Sequence, residues 1–143
     1  MHIPIPFPYE LEVRYQETDQ MGFVHHSVYL VYFEAARVAL LRAMGKPYRE
    51  LEREGVLLPL VESHVRYRRP AFFEDRLTVW TWVAELRPSS FRMGYRITRE
   101  TEEIATGWTR HAALSPEGRV LRLRGALREL LERGVWHENL DNG

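Results

Sequence analysis

The chain has 143 residues, no cysteine, 45% hydrophobic content, and 20 basic side chains balanced by 20 acidic ones. This length predicts a domain with its own hydrophobic core, and the missing cysteines exclude disulfide frameworks, thiolate zinc sites and cysteine nucleophiles. Zero net charge argues against a general nucleic-acid binder, which needs a basic surplus.

No apolar run approaches the ~20 residues of a membrane span, and the opening MHIPIPFPYE lacks the cationic and apolar regions of a signal peptide. We therefore expect a cytoplasmic protein. Pro4, Pro6 and Pro8 make the start an extended arm. Strand signals run from Tyr9 to Tyr15, with Leu11, Val13 and Tyr15 on one face. A polar turn, QETDQMG, leads into VYLVYFEAARVALLRAM, from Val28 to Met44, which is apolar nearly all round apart from Glu34, Arg37 and Arg42. A helix with so little polar face should be buried on most sides, at the centre of the fold. Gly45 and Pro47 stop it, and PYRELEREG adds a short helical turn closed by Gly55.

Four segments rich in Val, Thr, Tyr and Trp follow: Val56–Arg68, Arg76–Leu86, Phe91–Glu100 and Ile104–Leu114. The breaks RRPAFFED, ELRPSS and RETEE read as connections between successive antiparallel strands, and SPEGR as a turn into a last short strand, Val120–Leu123. The tail ALRELLERG spaces Leu127, Leu130 and Leu131 as a helix that stops at Gly134. The long helix spans about 25 Å, much like strands of seven or eight residues, so one sheet can wrap it lengthwise in an α+β fold. In the second segment Leu77, Val79 and Val83 share one face, while Trp80 and Trp82 share the other. We expect another subunit to cover that second face.

The densest polar cluster, Tyr15, Glu17, Thr18, Asp19, Gly22, His25 and His26, lies in the turn before the long helix. A carboxylate there faces unpaired N–H groups and the positive end of the helix dipole. On the residues alone, Asp19 reads either as a reactive carboxylate or as a loop acid beside a Ser27 N-cap, the commoner meaning of an isolated acid in such a turn. His25 and His26 point in different directions and lack an HxxxH partner, so no metal site is expected. Tyr15 either positions Asp19, lines a pocket or is a core aromatic at a strand end. Glu34 and Arg37, three apart on the helix, read as a structural pair.

The stretch V-R-Y-Q-E-T-D-Q-M-G-F-V-H-H-S-V-Y-L-V-Y-F-E-A-A-R resembles the signature of the 4-hydroxybenzoyl-CoA thioesterase family, and within it the YbgC-like branch, whose members have the hotdog fold. The shared elements are Tyr15, Thr18, Asp19, Gly22, Val24, His26, Tyr29, Phe33, Glu34 and Arg37. Tyr67, Pro70 and Asp75 follow, and then Ser90 and Phe91. His25 and Val28 depart from a pattern that commonly has an aromatic and an asparagine there. The resemblance implies that Asp19 is the catalytic carboxylate, acting as nucleophile or as general base on water. It implies that the N–H of His26 polarises the thioester carbonyl, with Tyr15 beside them and Gly22 and Val24 against the substrate. A thiolate leaves readily, so a lone carboxylate suffices, and no G-x-S-x-G motif competes.

In a neutral chain, coenzyme A phosphates need a local arginine cluster. The candidates are Arg66, Arg68 and Arg69 before Pro70, and Arg87 with Ser89 and Ser90 in the next turn. We thus expect a single hotdog thioesterase domain over residues 1–143 that hydrolyses a small acyl-CoA, with no metal or redox cofactor. The family assembles as homo-oligomers, dimers or dimers of dimers, with the site between subunits. The alternative is a non-catalytic hotdog protein that binds acyl-CoA or a partner. Hydration of enoyl-CoA, on the same fold, would need a helix motif that we do not find here.

Overall fold

The computed structural model describes residues 2–138. Strand β1 (Phe7–Glu12) leads through a single 3₁₀ turn (Tyr15–Glu17) and a loop into α1 (Val28–Ala43). A short α2 (Tyr48–Arg53) follows, then β2 (Leu60–Tyr67), β3 (Arg76–Leu86), β4 (Ser90–Arg99), β5 (Glu102–Ala112) and α3 (Gly125–Arg133). The strands form one antiparallel sheet in the order β1-β3-β4-β5-β2, which leaves β1 and β2 at its edges.

Helix α1 lies across one face of this sheet. Phe33 stacks on Tyr95 of β4 with ring centroids 4.2 Å apart, and both side chains are buried. Gly107 of β5 makes room for it, because a Cβ there would collide with the Phe33 ring and the His64 carbonyl. Tyr29, Tyr32, Ala36, Leu40 and Leu41 complete the buried stripe. The remaining face of α1 is not covered: Val31 is 55% exposed and Glu34 and Arg42 face solvent. Burial on most sides, expected from composition, is thus corrected. The sheet of one chain covers one side of α1 only, since a single curved layer cannot close around it.

Three further expectations change. Strand β1 stops at Glu12, and Tyr15 opens the 3₁₀ turn instead of ending the strand. Residues 56–59 and 120–123 are not strands. Single bridges, Leu57 to Leu114 and Leu114 to Val120, hold them where a ladder was expected. Trp82 is 4% exposed and is covered by its own chain: its ring lies over Gly94, and Trp136 meets it edge-on at 4.9 Å. Beyond Thr81, where the β1 pairing ends, the Val83 N–H donates to the Gly134 carbonyl at 2.8 Å and its carbonyl accepts from the Trp136 N–H at 3.1 Å. The segment after α3 thus extends the edge of β3 by one parallel bridge, Val83 to Val135. Trp80 is held by its own indole N–H, which donates to Thr98 Oγ1 at 3.1 Å.

Candidate active site

The loop before α1 is built by its own backbone. The Asp19 N–H donates to the Phe23 carbonyl at 2.8 Å, and the Gly22 N–H to the Asp19 carbonyl at 3.0 Å. Gly22 sits at φ +84°, a conformation that disfavours any side chain. Asp19 Oδ1 accepts from the N–H groups of Met21 and Phe23 at 2.9 and 3.2 Å. This carboxylate therefore shapes the loop as well as occupying it. Its other oxygen, Oδ2, accepts no hydrogen bond among the described residues.

Two anchors fix the loop to the fold. Val24 N–H donates to Ala71 at 2.9 Å, and Phe23 bridges Phe72. The segment they grip is braced by Asp75, which accepts from the Phe72 N–H at 2.8 Å and from Arg99 at 2.6 Å. The second anchor is Glu17, 9% exposed. It accepts from the Arg14 N–H at 2.9 Å, from the Arg14 guanidinium and from Tyr32 Oη at 2.8 Å, while its carbonyl takes the His25 N–H. Burial, and next the bond to Glu17, push the Tyr32 phenol upward, so it donates as a neutral hydroxyl.

The start of α1 faces the same place. Ser27 stands at the N-cap position without a side-chain capping bond, its hydroxyl lying 2.8 Å from His25 Nδ1. Val28 N–H returns to the His25 carbonyl, but the His26 N–H finds no acceptor among the described residues. Tyr67 Oη donates to the His26 carbonyl at 3.1 Å and ties β2 to the helix start. Burial, and next the neighbouring Tyr67, raise the Tyr29 phenol as well.

Asp19, Val24, His26, Tyr29, Tyr67 and Arg68 line one open depression of about 330 Å³, with Arg69 at its border. Five of the residues singled out in the sequence, Asp19, Val24, His26, Arg68 and Arg69, therefore come together. Arg68 and Arg69 pair with Glu103 and Glu102 at 3.4 and 2.9 Å, exposed contacts that a phosphate could displace. The other residues stand apart. Tyr15 is 75% exposed and packs edge-on against Phe73. Gly22 shapes the turn without lining the depression. Arg66 alternates with Tyr67 and points to the sheet's opposite face.

Arg87, Ser89 and Ser90 lie at the other end of the sheet. There Arg87 pairs with Glu85 at 2.6 Å and its N–H donates to the Ser90 carbonyl, while the Ser89 carbonyl accepts from Ala113. Ser90 faces Ala112, eight residues along β5 from the Ile104 carbonyl that binds Arg68, or about 27 Å. One bound molecule cannot easily touch both groups within one chain. Tyr67 and Glu17, named in the family signature and in the polar turn, were given no role in the site by the sequence. Tyr67 precedes the arginines in an ordinary strand pattern. The R-x-x-E spacing of Arg14 and Glu17 was the available signal for the second. No cluster of three His, Asp or Glu side chains suited to a metal occurs among the described residues.

A sheet wrapped on one long helix, with a carboxylate and open N–H groups at that helix's start, defines the hotdog class of thioesterase folds. Residues 13–130 match the model of the thioesterase-like superfamily, and the chain belongs to it. The Bacillus subtilis protein YneP, named provisionally as an acyl-CoA thioesterase, is 38% identical over 67% of this chain and 70% of its own. The 1,4-dihydroxy-2-naphthoyl-CoA hydrolase of Synechococcus elongatus is 29% identical over 79% and 85%. Among solved structures, the hypothetical protein TT1821 of Thermus thermophilus superposes with a TM-score of 0.84 at 42% identity, covering 89% of this chain and 98% of that one.

Proposed function

We infer that this thioesterase hydrolyses a small acyl-CoA to a carboxylic acid and free coenzyme A, with Asp19 as the attacking carboxylate or as the base that activates water. The observation that carries this reading is the meeting of Asp19, one oxygen unengaged among the described residues, with the open N–H of His26 in one depression. In either route the carbonyl oxygen gains negative charge as the tetrahedral intermediate forms. The His26 N–H and the positive end of α1 stabilise that charge where it develops. The C–S bond then breaks and the thiolate leaves without a strong acid behind it, giving the free acid where water attacks, or an Asp19 anhydride that water then hydrolyses where Asp19 attacks. Arg68 and Arg69 carry the coenzyme A phosphates past the rim.

The substrate class follows from relatives named for aroyl-CoA hydrolysis, the Synechococcus hydrolase among them, and the YbgC-like motif supports the same chemistry. The chain works as one domain in the cytoplasm, and no described helix is long and apolar enough to cross a membrane. It functions as a dimer or a dimer of dimers. Val31 of α1 and Leu60 and Val61 of β2 are about half exposed beside an unpaired strand edge, a surface that a second copy would bury. A panel of acyl-CoA esters from acetyl to palmitoyl, with aroyl esters added and the freed thiol measured, tests the reading. Turnover of at least one class is expected, and binding without turnover across the panel would leave only an acyl-CoA-binding role.

A further inference from the structure

One wall of the Asp19 depression is Tyr67, the last residue of β2, followed directly in the chain by Arg68 and Arg69. Its ring is half exposed and meets the buried Tyr29 edge-on, with centroids 5.2 Å apart. Its hydroxyl lies 3.1 Å from the His26 carbonyl, and no other hydrogen bond reaches it among the described residues.

Both peptide planes beside His26 are pinned. The His25 carbonyl accepts from the Val28 N–H at 2.9 Å, so the His26 N–H, on the opposite side of the same planar amide, points away from the first turn of α1. The His26 carbonyl belongs to the next amide and is held by Tyr67, while the N–H of that amide, on Ser27, donates to His25 Nδ1 at 3.2 Å. Tyr67 thus stands one amide away from the N–H that polarises the thioester in the reading above.

The hydrogen of the Tyr67 hydroxyl is already spent. A carbonyl can only accept, so Tyr67 donates to His26 and offers the depression oxygen lone pairs alone. Such a group attracts a ligand N–H and repels a ligand carbonyl. Outward from the sulfur of a coenzyme A thioester, the first polar group is the cysteamine amide, whose N–H sits two carbons away. The reach agrees. The nitrogen and carbonyl oxygen of one residue are about 3 Å apart, which puts Tyr67 Oη within about 7 Å of the His26 nitrogen. A thioester oxygen held by that N–H lies about 3 Å from it, and the amide nitrogen lies on the order of 5 Å further along the arm.

We propose that Tyr67 recognises the thiol arm of the substrate by accepting the cysteamine amide N–H, and so fixes the thioester against the His26 N–H and Asp19. The inference rests on the thioesterase reading above and adds a determinant by which that site reads coenzyme A apart from its phosphates. One hydroxyl then holds both the helix start and the arm, so a thioester lacking the amide N–H is placed less well.

The test compares the best ester of the acyl-CoA panel with its isostere in which oxygen replaces the cysteamine amide N–H. The replacement keeps the length of the arm, removes the hydrogen bond and sets an oxygen against the Tyr67 lone pairs. Dividing each enzymatic rate by the hydroxide-catalysed rate of the same ester cancels the change in thiol leaving ability. We expect wild-type kcat/KM to favour the amide by about tenfold. Tyr67→Phe should bring that ratio close to one, and because the ratio is taken within one preparation, a general loss of activity at the helix start does not alter it. A wild-type ratio near one, or an unchanged ratio in Tyr67→Phe, overturns the proposal. Calorimetry with S-butyl-CoA and its oxygen isostere, thioethers that cannot be hydrolysed, separates this failure from that of the catalytic reading. Tighter binding of the amide thioether, lost in Tyr67→Phe, with no turnover across the panel would support the role of Tyr67 and contradict hydrolysis. Turnover of both esters at equal kcat/KM, with equal thioether affinities, would do the reverse.

Discussion

At Asp19, which lines the depression, one carboxylate oxygen is tied to the N–H groups of Met21 and Phe23, and the other has no partner among the described residues. His26 is proposed to act through its backbone N–H, which has no acceptor among the described residues, and not through its imidazole. His26→Ala should therefore cost only about tenfold in kcat/KM, through lost packing and positioning, where a general acid–base histidine would cost about 10²–10⁴. A loss at the upper end of that range, with thioether binding intact, would make the side chain catalytic. Glu17 acts on structure. Removing it leaves the buried Tyr32 hydroxyl without an acceptor, so Glu17→Ala should lower unfolding stability by about 2 kcal/mol in a urea titration. Asp19 and His26 were singled out through the family signature, since on the residues alone a polar turn before a long helix left Asp19 open as a loop acid. Glu17 was not, because an acid in a polar turn looks solvated until the fold brings Tyr32 over it, fifteen residues away.

The elements were legible where local composition or periodicity decides them, as in the long apolar run of α1, the alternation of β3 and the leucine spacing of α3. Errors fell at segments whose ends are set by partners distant in sequence. Residues 56–59 and 120–123 carry strand-like composition, yet each finds only a single bridge to its neighbour. The cover over Trp82 comes from Trp136, held by the Val83 carbonyl, and a bond between residues so far apart in sequence leaves no mark in hydropathy. Between the elements, the hydrogen-bonded His111 makes a titration that stability should report. Its pKa falls from 6.5 to about 4 in the fold, so the unfolded chain binds the extra proton between those values. This contribution is complete above pH 6.5 and is lost as the pH falls toward 4, by about 3 kcal/mol in all. Urea midpoints measured across that window should show the loss in the wild type and a much flatter profile in His111→Gln. Parallel profiles would place the titrating group elsewhere.

For the whole molecule, the proposed oligomer rests on the exposed side of α1 and the free edge of β2. Burying Val31, Leu60 and Val61 against a second copy removes apolar surface from water and covers an unpaired strand edge. Sedimentation should therefore show a dimer or larger, and an active 17.0 kDa monomer would contradict this reading. The sequence suggested an oligomer from Trp80 and Trp82, but the structure moves the argument to the opposite side of the sheet. Fold class was nonetheless readable from the order of one long helix and successive antiparallel strands. The depression around Asp19 was not, because Tyr67 reaches the His26 carbonyl only when the end of β2 returns to the start of α1. The most direct test of the mechanism is kcat/KM of Asp19→Asn on the best ester of the acyl-CoA panel, with the fold checked by circular dichroism. Asparagine keeps an Oδ1 acceptor for Met21 and Phe23, so the loop should stand while the reacting carboxylate is gone. We expect at least about a hundredfold loss, or roughly 2.7 kcal/mol of barrier, with the fold unchanged. Activity within threefold of wild type would remove Asp19 from the reaction.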